Sequence, residues 1–371
     1  MKLQSRQIMI TIILSIVILL VITVALIIWL HPVFGRSPRG ERLEQIMTSP
    51  NYHNGQFKNL EETPAVTSDK GLIRALWDAA FVRPADMKPS APIKAVKTDL
   101  GRLPLTVNQL VWLGHSSYFM ILDGKRILVD PVLTSEFPVS LMMKPFKGSD
   151  IYSPDDIPDI DILIITHDHY DHLDYATIRD IKNRVRKVIC PLGVGEHLQY
   201  WGIDKNKISE LDWYHTATDS SLKIECLPAR HFSSRLFKRN CTLWASFMIS
   251  LPDGVTVYVG GDSGYGKHFH EIARRYPVIN YAILENGQYN EDWRYIHTMP
   301  GQQDSVIRDL GADNVFSVHN SKFALARHPW YEPIEKIRET ATIDKSFNLL
   351  DATIGQPVEL KYPIIYFSTP R

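Results

Sequence analysis

His167-Asp168-His169-Tyr170-Asp171-His172 crowds three imidazoles and adjoining carboxylate side chains into six consecutive positions. The run just before it, Ile160-Asp161-Ile162-Leu163-Ile164-Ile165, is short, largely β-branched and bounded by polar residues, which predicts a buried strand. The histidines therefore fall on the loop at the C-terminal end of that strand, where α/β folds set their sites. From an extended stub, His167 and His169 point the same way. Asp171 and His172 follow where the backbone turns and face a second position beside the first. Imidazole mixed with carboxylate suits zinc, manganese or iron better than calcium or magnesium.

One loop does not fill two metal sites, so other strand ends must contribute. Leu222-Lys223-Ile224-Glu225-Cys226-Leu227 alternates like a half-buried strand and runs through Pro228-Ala229-Arg230 into His231. Val255-Thr256-Val257-Tyr258-Val259 leads through two glycines to Asp262, and Asn314-Val315-Phe316-Ser317-Val318 ends at His319. A lone His or Asp after a strand is ordinarily a turn residue or a cap. Three such endings beside a six-residue cluster point instead to convergence. His167, His169 and His231 would hold one ion, Asp171, His172 and His319 the other, and Asp262 can bridge both. Each ion then keeps a position for water, the pattern of a catalytic rather than a closed structural site.

These residues resemble the metallo-β-lactamase superfamily, whose H-x-H-x-D-H hallmark matches His167 to His172. Within it, Trp112-Leu113-Gly114-His115-Ser116-Ser117, Val129-Asp130-Pro131, Cys190-Pro191-Leu192-Gly193, Pro228-Ala229-Arg230-His231, Gly261-Asp262-Ser263-Gly264-Tyr265 and Tyr295-Ile296-His297 resemble the N-acyl-phosphatidylethanolamine-hydrolysing phospholipase D branch. The likeness runs from about Pro50 to Ala341. It implies a four-layer αβ/βα sandwich with two zinc ions at one edge, manganese or iron being alternatives, and the ligand set already assigned. It also implies that His297 donates to the substrate oxyanion. Glu285-Asn286-Gly287-Gln288-Tyr289 and Asn320-Ser321-Lys322 depart from the animal enzymes, and both should line the pocket.

The chain has 371 residues, enough for one large α/β domain. Lys+Arg and Asp+Glu stand at 41 each, so there is no global basic field to draw nucleic acid. Cys190, Cys226 and Cys241 lack paired spacing; Cys190 and Cys226 lie in strand-like runs and read as buried apolar residues. Ile8 to Leu30 is uncharged over 23 residues, about 35 Å of helix at about 1.5 Å per residue. It predicts one uncleaved N-terminal transmembrane helix, within an anchor at 1–30. Flanking charge (Lys2 and Arg6 against Arg36, Arg39 and Arg42) leaves the orientation open, and no residue pattern sets the oligomeric state, a homodimer included.

A linker and N-terminal extension at 31–102 and a hydrolase domain at 103–371 complete the expected organisation. Within the extension, Leu72, Ile73, Leu76, Trp77 and Phe81 recur at helical spacing, an apolar stripe for core packing or for the border of a lipid groove. A helix near Pro333–Ala341 and a returning tail through Pro357 to Leu360 follow. His115 and Asp130 read as supports for the ligands, while His268 and His270 read as solvated. Arg230, Arg235, Lys238 and Arg239 crowd around His231 and read equally as a phosphate-receiving patch and as an ordinary charged loop.

Two divalent ions lower the pKa of water into the neutral range, and Asp171 can serve as ligand and proton acceptor at once. The leading function is a membrane-anchored, zinc-dependent phosphodiesterase acting on a phospholipid of the N-acyl-phosphatidylethanolamine kind. A lactone or thioester hydrolase would use the same chemistry. A membrane-tethered, non-catalytic metal-binding scaffold is the alternative of another class, but it would tolerate ligand loss, and no ligand is missing.

Overall fold

Neighbouring side chains on one strand sort into different cores. Ile162 and Ile164 enter an apolar cluster shared by two sheets, whereas Leu163 and Ile165 enter a second cluster beneath helices. That is the period-two geometry of a strand covered on both faces. The computed structural model describes residues 2–64, 66–68, 74, 77, 78, 82, 84–235 and 238–361, with backbone alone at Lys2, Leu3 and Trp29.

After a short hairpin of β1 (Tyr52–His53) and β2 (Gln56–Phe57), the first sheet gathers β3 (Gln109–Trp112), β4 (Tyr118–Leu122), β5 (Lys125–Val129), β6 (Ile160–Ile164), β7 (Val185–Pro191) and β8 (Ile208–Leu211). The second holds β9 (Thr216–Asp219), β10 (Leu222–Leu227), β13 (Ser246–Ser250), β14 (Thr256–Val259), β15 (Ile279–Glu285), β16 (Ala312–Val318) and β17 (Asn348–Leu349). A second small hairpin, β11 (Ser234–Arg235) with β12 (Lys238–Arg239), stands apart, and β18 (Pro357–Glu359) pairs antiparallel with β3. Both sheets are antiparallel at one end and parallel at the other.

Met120, Ile127 and Ile164 of the first sheet pack against Ile224, Phe247 and Ile283 of the second. On the outer faces, Ile178 and Leu198 come from helices over the first sheet, and Phe269, Ile307 and Ile337 from helices over the second. Fully burying a side chain of this size stabilises by about 1.5–3 kcal/mol, so these three clusters define the four layers. This is the expected αβ/βα sandwich. The helix foreseen at Pro333–Ala341 spans Glu332–Ile343.

The N-terminal helix Lys2–Leu30 carries a stretch, Gln4–Ile28, with mean hydropathy 3.3 and no part of it buried. It is long and apolar enough to cross a membrane. The segment after it differs from a free linker. Val33, Ile46 and Phe57 are fully buried, and the Arg42 guanidinium pairs with Glu196 and Glu210. Its Pro, Gly and charge content suggested a tether, but three well-spaced apolar side chains dock it on the body. Gly35 makes this possible: at φ 68°, a Cβ there would fall 2.1 Å from His197 Nδ1, which accepts the Arg36 N–H at 3.0 Å. Of the predicted stripe, Leu72, Ile73, Leu76 and Phe81 lie outside the described residues, and Trp77 is exposed.

Candidate metal centre

The loop after β6 folds back at once. The N–H groups of His172 and Leu173 both donate to the carbonyl of His169, at 3.1 and 2.8 Å. This turn separates His167 and His169 from Asp171 and His172. His231 follows β10, Asp262 follows β14 and His319 follows β16, so four strand ends converge. Backbone strain collects here: His115, Asp130 and His319 hold φ of 53°, 41° and 66°, a region that costs non-glycine residues about 1 kcal/mol or more. Gly261, at φ 60°, lets the chain before Asp262 pass Ala245, whose carbonyl would lie 2.8 Å from a Cβ.

His167, His169, His231 and Asp262 form one group whose potential ligand atoms all lie within 4.8 Å of one another, and His115, Asp171, His172 and His319 form a second. His167 Nε2 is 2.9 Å from His169 Nδ1, which is 3.2 Å from His231 Nε2. Asp262 lies between the groups, with Oδ2 3.1 Å from His172 Nε2 and 3.7 Å from His231 Nε2, and Oδ1 3.2 Å from His319 Nδ1. All seven residues named from the sequence as ligands are thus brought together.

Hydrogen bonding on the far side of each ring says what these atoms offer. His231 Nδ1 faces the Ile296 carbonyl at 2.7 Å and must donate to it, which leaves Nε2 a lone pair. His172 Nδ1 donates to Asp130 Oδ2 at 2.7 Å, which turns Nε2 toward Asp262. Thr166 Oγ1 donates to Asp130 at 2.6 Å and so accepts from His167 Nδ1 at 3.0 Å, which frees His167 Nε2. Lone pairs therefore converge from two sides. His172 Nε2 and Asp262 Oδ1 are buried with no hydrogen-bond partner. Orphaned polar atoms facing one another are costly in a dry interior, and a cation between them removes the cost. The residues fit a pair of divalent ions.

Electrostatics agree for three of the rings, whereas against the pull of burial Asp262 and Asp171 raise His172 well above its ordinary range, so an ion at its Nε2 would displace a proton. Burial pushes the imidazoles of His167, His231 and His319 well below their ordinary range, so they stay neutral. Burial would raise the Asp171 carboxyl, but His172 and His115 hold it well below its usual value. His115 Nε2 sits 2.9 Å from Asp171 Oδ2, and Asp130 orients His172, both the supporting positions expected.

Glu285, the last residue of β15 and expected only to line the pocket, is a further partner. Its Oε2 meets His297 Nδ1 at 2.6 Å and its Oε1 accepts the Thr298 N–H at 2.8 Å. Burial lifts the Glu285 carboxyl to about 7, with His297 pulling the other way, so the pair retains a proton near neutrality. Its strand-end position was the available signal. His297 is buried, with its ring 5.1 Å from that of His231. One expectation is corrected. His268 is buried, with Nε2 2.9 Å from Ser263 Oγ, because the helix it opens packs on the second sheet. Of the two readings of the charged patch, the carbonyl acceptors of Arg230 and Arg235 favour the ordinary charged loop beside His231.

Comparison with known proteins adds the lineage. The Beta-lactamase superfamily domain profile matches residues 125–320. An uncharacterized protein of Mycobacterium tuberculosis is 36% identical over 301 residues, covering 79% of this chain and 80% of its own. The mitochondrial N-acyl-phosphatidylethanolamine-hydrolyzing phospholipase D of Saccharomyces cerevisiae is 31% identical over 241 residues, 62% of this chain and 51% of that protein. Among solved structures, Igni18, a metallo hydrolase from Ignicoccus hospitalis, superposes with a TM-score of 0.53 at 20% identity over 69% of this chain and 100% of that one. The chain belongs to the beta-lactamase superfamily. It is a metal-dependent hydrolase of that fold.

Proposed function

We propose that this protein is a membrane-anchored dinuclear zinc phosphodiesterase of phospholipase D type, releasing phosphatidic acid and an N-acylethanolamine from N-acyl-phosphatidylethanolamine-like lipids. The reading rests on the two ligand groups with their converging, unpartnered lone pairs. His167, His169 and His231 would hold one ion, Asp171, His172 and His319 the other, with Asp262 shared. Similarity to the yeast phospholipase D favours a phosphodiester over a carboxyl ester. The apolar N-terminal helix would keep the enzyme at its lipid surface, with residues 31–102 as a packed-on extension of a hydrolase unit at 103–371.

When bound, the ions supply Lewis acidity and lower the pKa of water toward neutrality. The chain's own residues do the rest. Asp171 accepts and orients a proton, its carboxylate steadied by His115. His297 presents its remaining ring nitrogen to the substrate oxygen that gathers charge, while Glu285 holds the opposite nitrogen and keeps the ring supplied with a proton.

The test incubates the zinc-loaded, full-length protein with N-acylated phosphatidylethanolamine and follows products by mass spectrometry. Phosphatidic acid from the wild type, and none from a folded Asp171→Asn variant, is the expected result. Turnover of a lactone or thioester with no phosphatidic acid would move the assignment to carboxyl-ester chemistry.

A further inference from the structure

At the foot of the apolar helix lies a cavity of about 560 Å³ that no residue of the two ligand groups lines. Its upper wall is Ile28, Leu30 and Phe34, the end of the helix and the turn after it. If Gln4–Ile28 spans a bilayer, these residues sit at headgroup depth.

The remaining walls are rich in donors. Arg36 and Lys238 have no carboxylate partner among the described residues, and the Arg36 guanidinium instead lies 4.0 Å over the Tyr200 ring. The one carboxylate in the lining, Asp168, already accepts from the Ser234 N–H and the Thr242 hydroxyl, each at 2.9 Å. His197 takes the Arg36 N–H on Nδ1, so its proton is on Nε2 and is turned to Asp168 Oδ2, 3.5 Å away. One buried donor goes unused: Arg235, 4% exposed, leaves Nε without a hydrogen-bond partner. A cavity with a buried, unpaired donor and two cations that no carboxylate neutralises calls for an anionic acceptor.

A separate feature sets an apolar crest beside the helix foot. Phe137, Leu141 and Met142 are exposed at 56%, 73% and 68% on one loop. The inward side chains of that loop, Val139 and Met143, share an apolar cluster with Val33, three residues beyond the helix. Helix foot, apolar crest and cationic cavity therefore belong to one face.

We propose that this cavity binds the phosphate headgroup of an anionic glycerophospholipid drawn from the bilayer that the helix spans. The phosphate would lie between Arg36 and Lys238 and the proximal acyl chain along Ile28, Leu30 and Phe34. The inference rests on the membrane-anchor reading but not on the substrate assignment. Its consequence is orientation: a bound lipid fixes the hydrolase body against the surface that supplies its substrate.

Native mass spectrometry of the full-length protein in micelles, titrated with phosphatidylglycerol, phosphatidylcholine or inorganic phosphate, tests it. Phosphatidylglycerol should bind in preference to phosphatidylcholine, and its affinity should fall about fivefold for each cation removed in Arg36→Gln and Lys238→Gln. Metal-stripped protein should bind phosphatidylglycerol equally well, which separates this cavity from the hydrolytic site. Equal binding by wild type and the double variant would overturn the proposal, as would displacement of the lipid by inorganic phosphate alone. Release of the protein from membranes by alkaline carbonate would remove the anchor reading and the proposal with it. Retention without lipid preference would remove the proposal only.

Discussion

Asp130 Oδ2 lies 2.7 Å from His172 Nδ1, and the same carboxylate takes both the N–H and the hydroxyl of Thr166. One side chain from the end of β5 therefore sets the direction of two imidazoles, His172 directly and His167 through Thr166. Replacing it should loosen the metal rather than unfold the protein. Asp130→Asn is expected to cut affinity for the ion at His172 by about 10- to 100-fold. Competition against a chelator of known strength measures this, and unchanged affinity would mean that His172 needs no such support.

Glu285 and His297 form the second such relationship, at 2.6 Å. Glu285→Ala should lower kcat by about 10- to 100-fold with little change in KM or metal content, because the loss is of proton supply and ring orientation. Glu285→Gln, which can still accept from His297 Nδ1, should restore part of the rate. A metal content that falls together with kcat would recast Glu285 as a structural support of the ligands.

Most of the candidate ligand set was legible because each member follows a strand whose own pattern is clear, whereas the four layers came from the family resemblance. What the sequence hid were contacts across long separations. Glu285 looks like any strand-end acid until the loop returning through Ile296 brings His297 against it. His268 looks like a solvated helix start until that helix packs on the second sheet. The segment after the apolar helix reads as polar tether because Val33, Ile46 and Phe57 are too widely spaced to show a period. Their burial depends on a surface built by residues far along the chain.

Arg42 tests that docking. Its guanidinium and both partners, Glu196 and Glu210, are each less than one-tenth exposed at the side chain. Arg42→Ala strands the buried Glu210 carboxylate and leaves Glu196 only Arg39, at 3.4 Å, and breaking such a pair costs about 3–5 kcal/mol. The low end is expected, because Glu210 keeps the N–H groups of Gly193 and Gly195. Chemical denaturation of the full chain in detergent would register the loss, alongside faster proteolysis after residue 31. A midpoint equal to wild type would mean that the Arg42 ion pairs contribute nothing to stability.

Lys322 is buried with Nζ donating to the carbonyls of Val132 and Leu113, at 2.8 and 3.3 Å, and burial brings its pKa from 10.5 down to about 8. Between those values the unfolded chain holds a proton that the folded chain has released, so stability should rise as pH climbs from about 8 toward 10.5. The penalty is fully present below about pH 8 and amounts to at most about 3 kcal/mol. Comparing Lys322→Met with wild type by denaturation at pH 7.5 and 9.5 isolates this slope from other titrations. Parallel changes in the two proteins would show that Lys322 does not carry it.

The proposal rests on two groups of candidate ligand atoms with Asp262 between them. Elemental analysis of the full-length protein, loaded with zinc and freed of excess by gel filtration, counts the ions directly. Two per chain are predicted, one for each group; a chain that retains no transition metal after such loading would contradict the assignment.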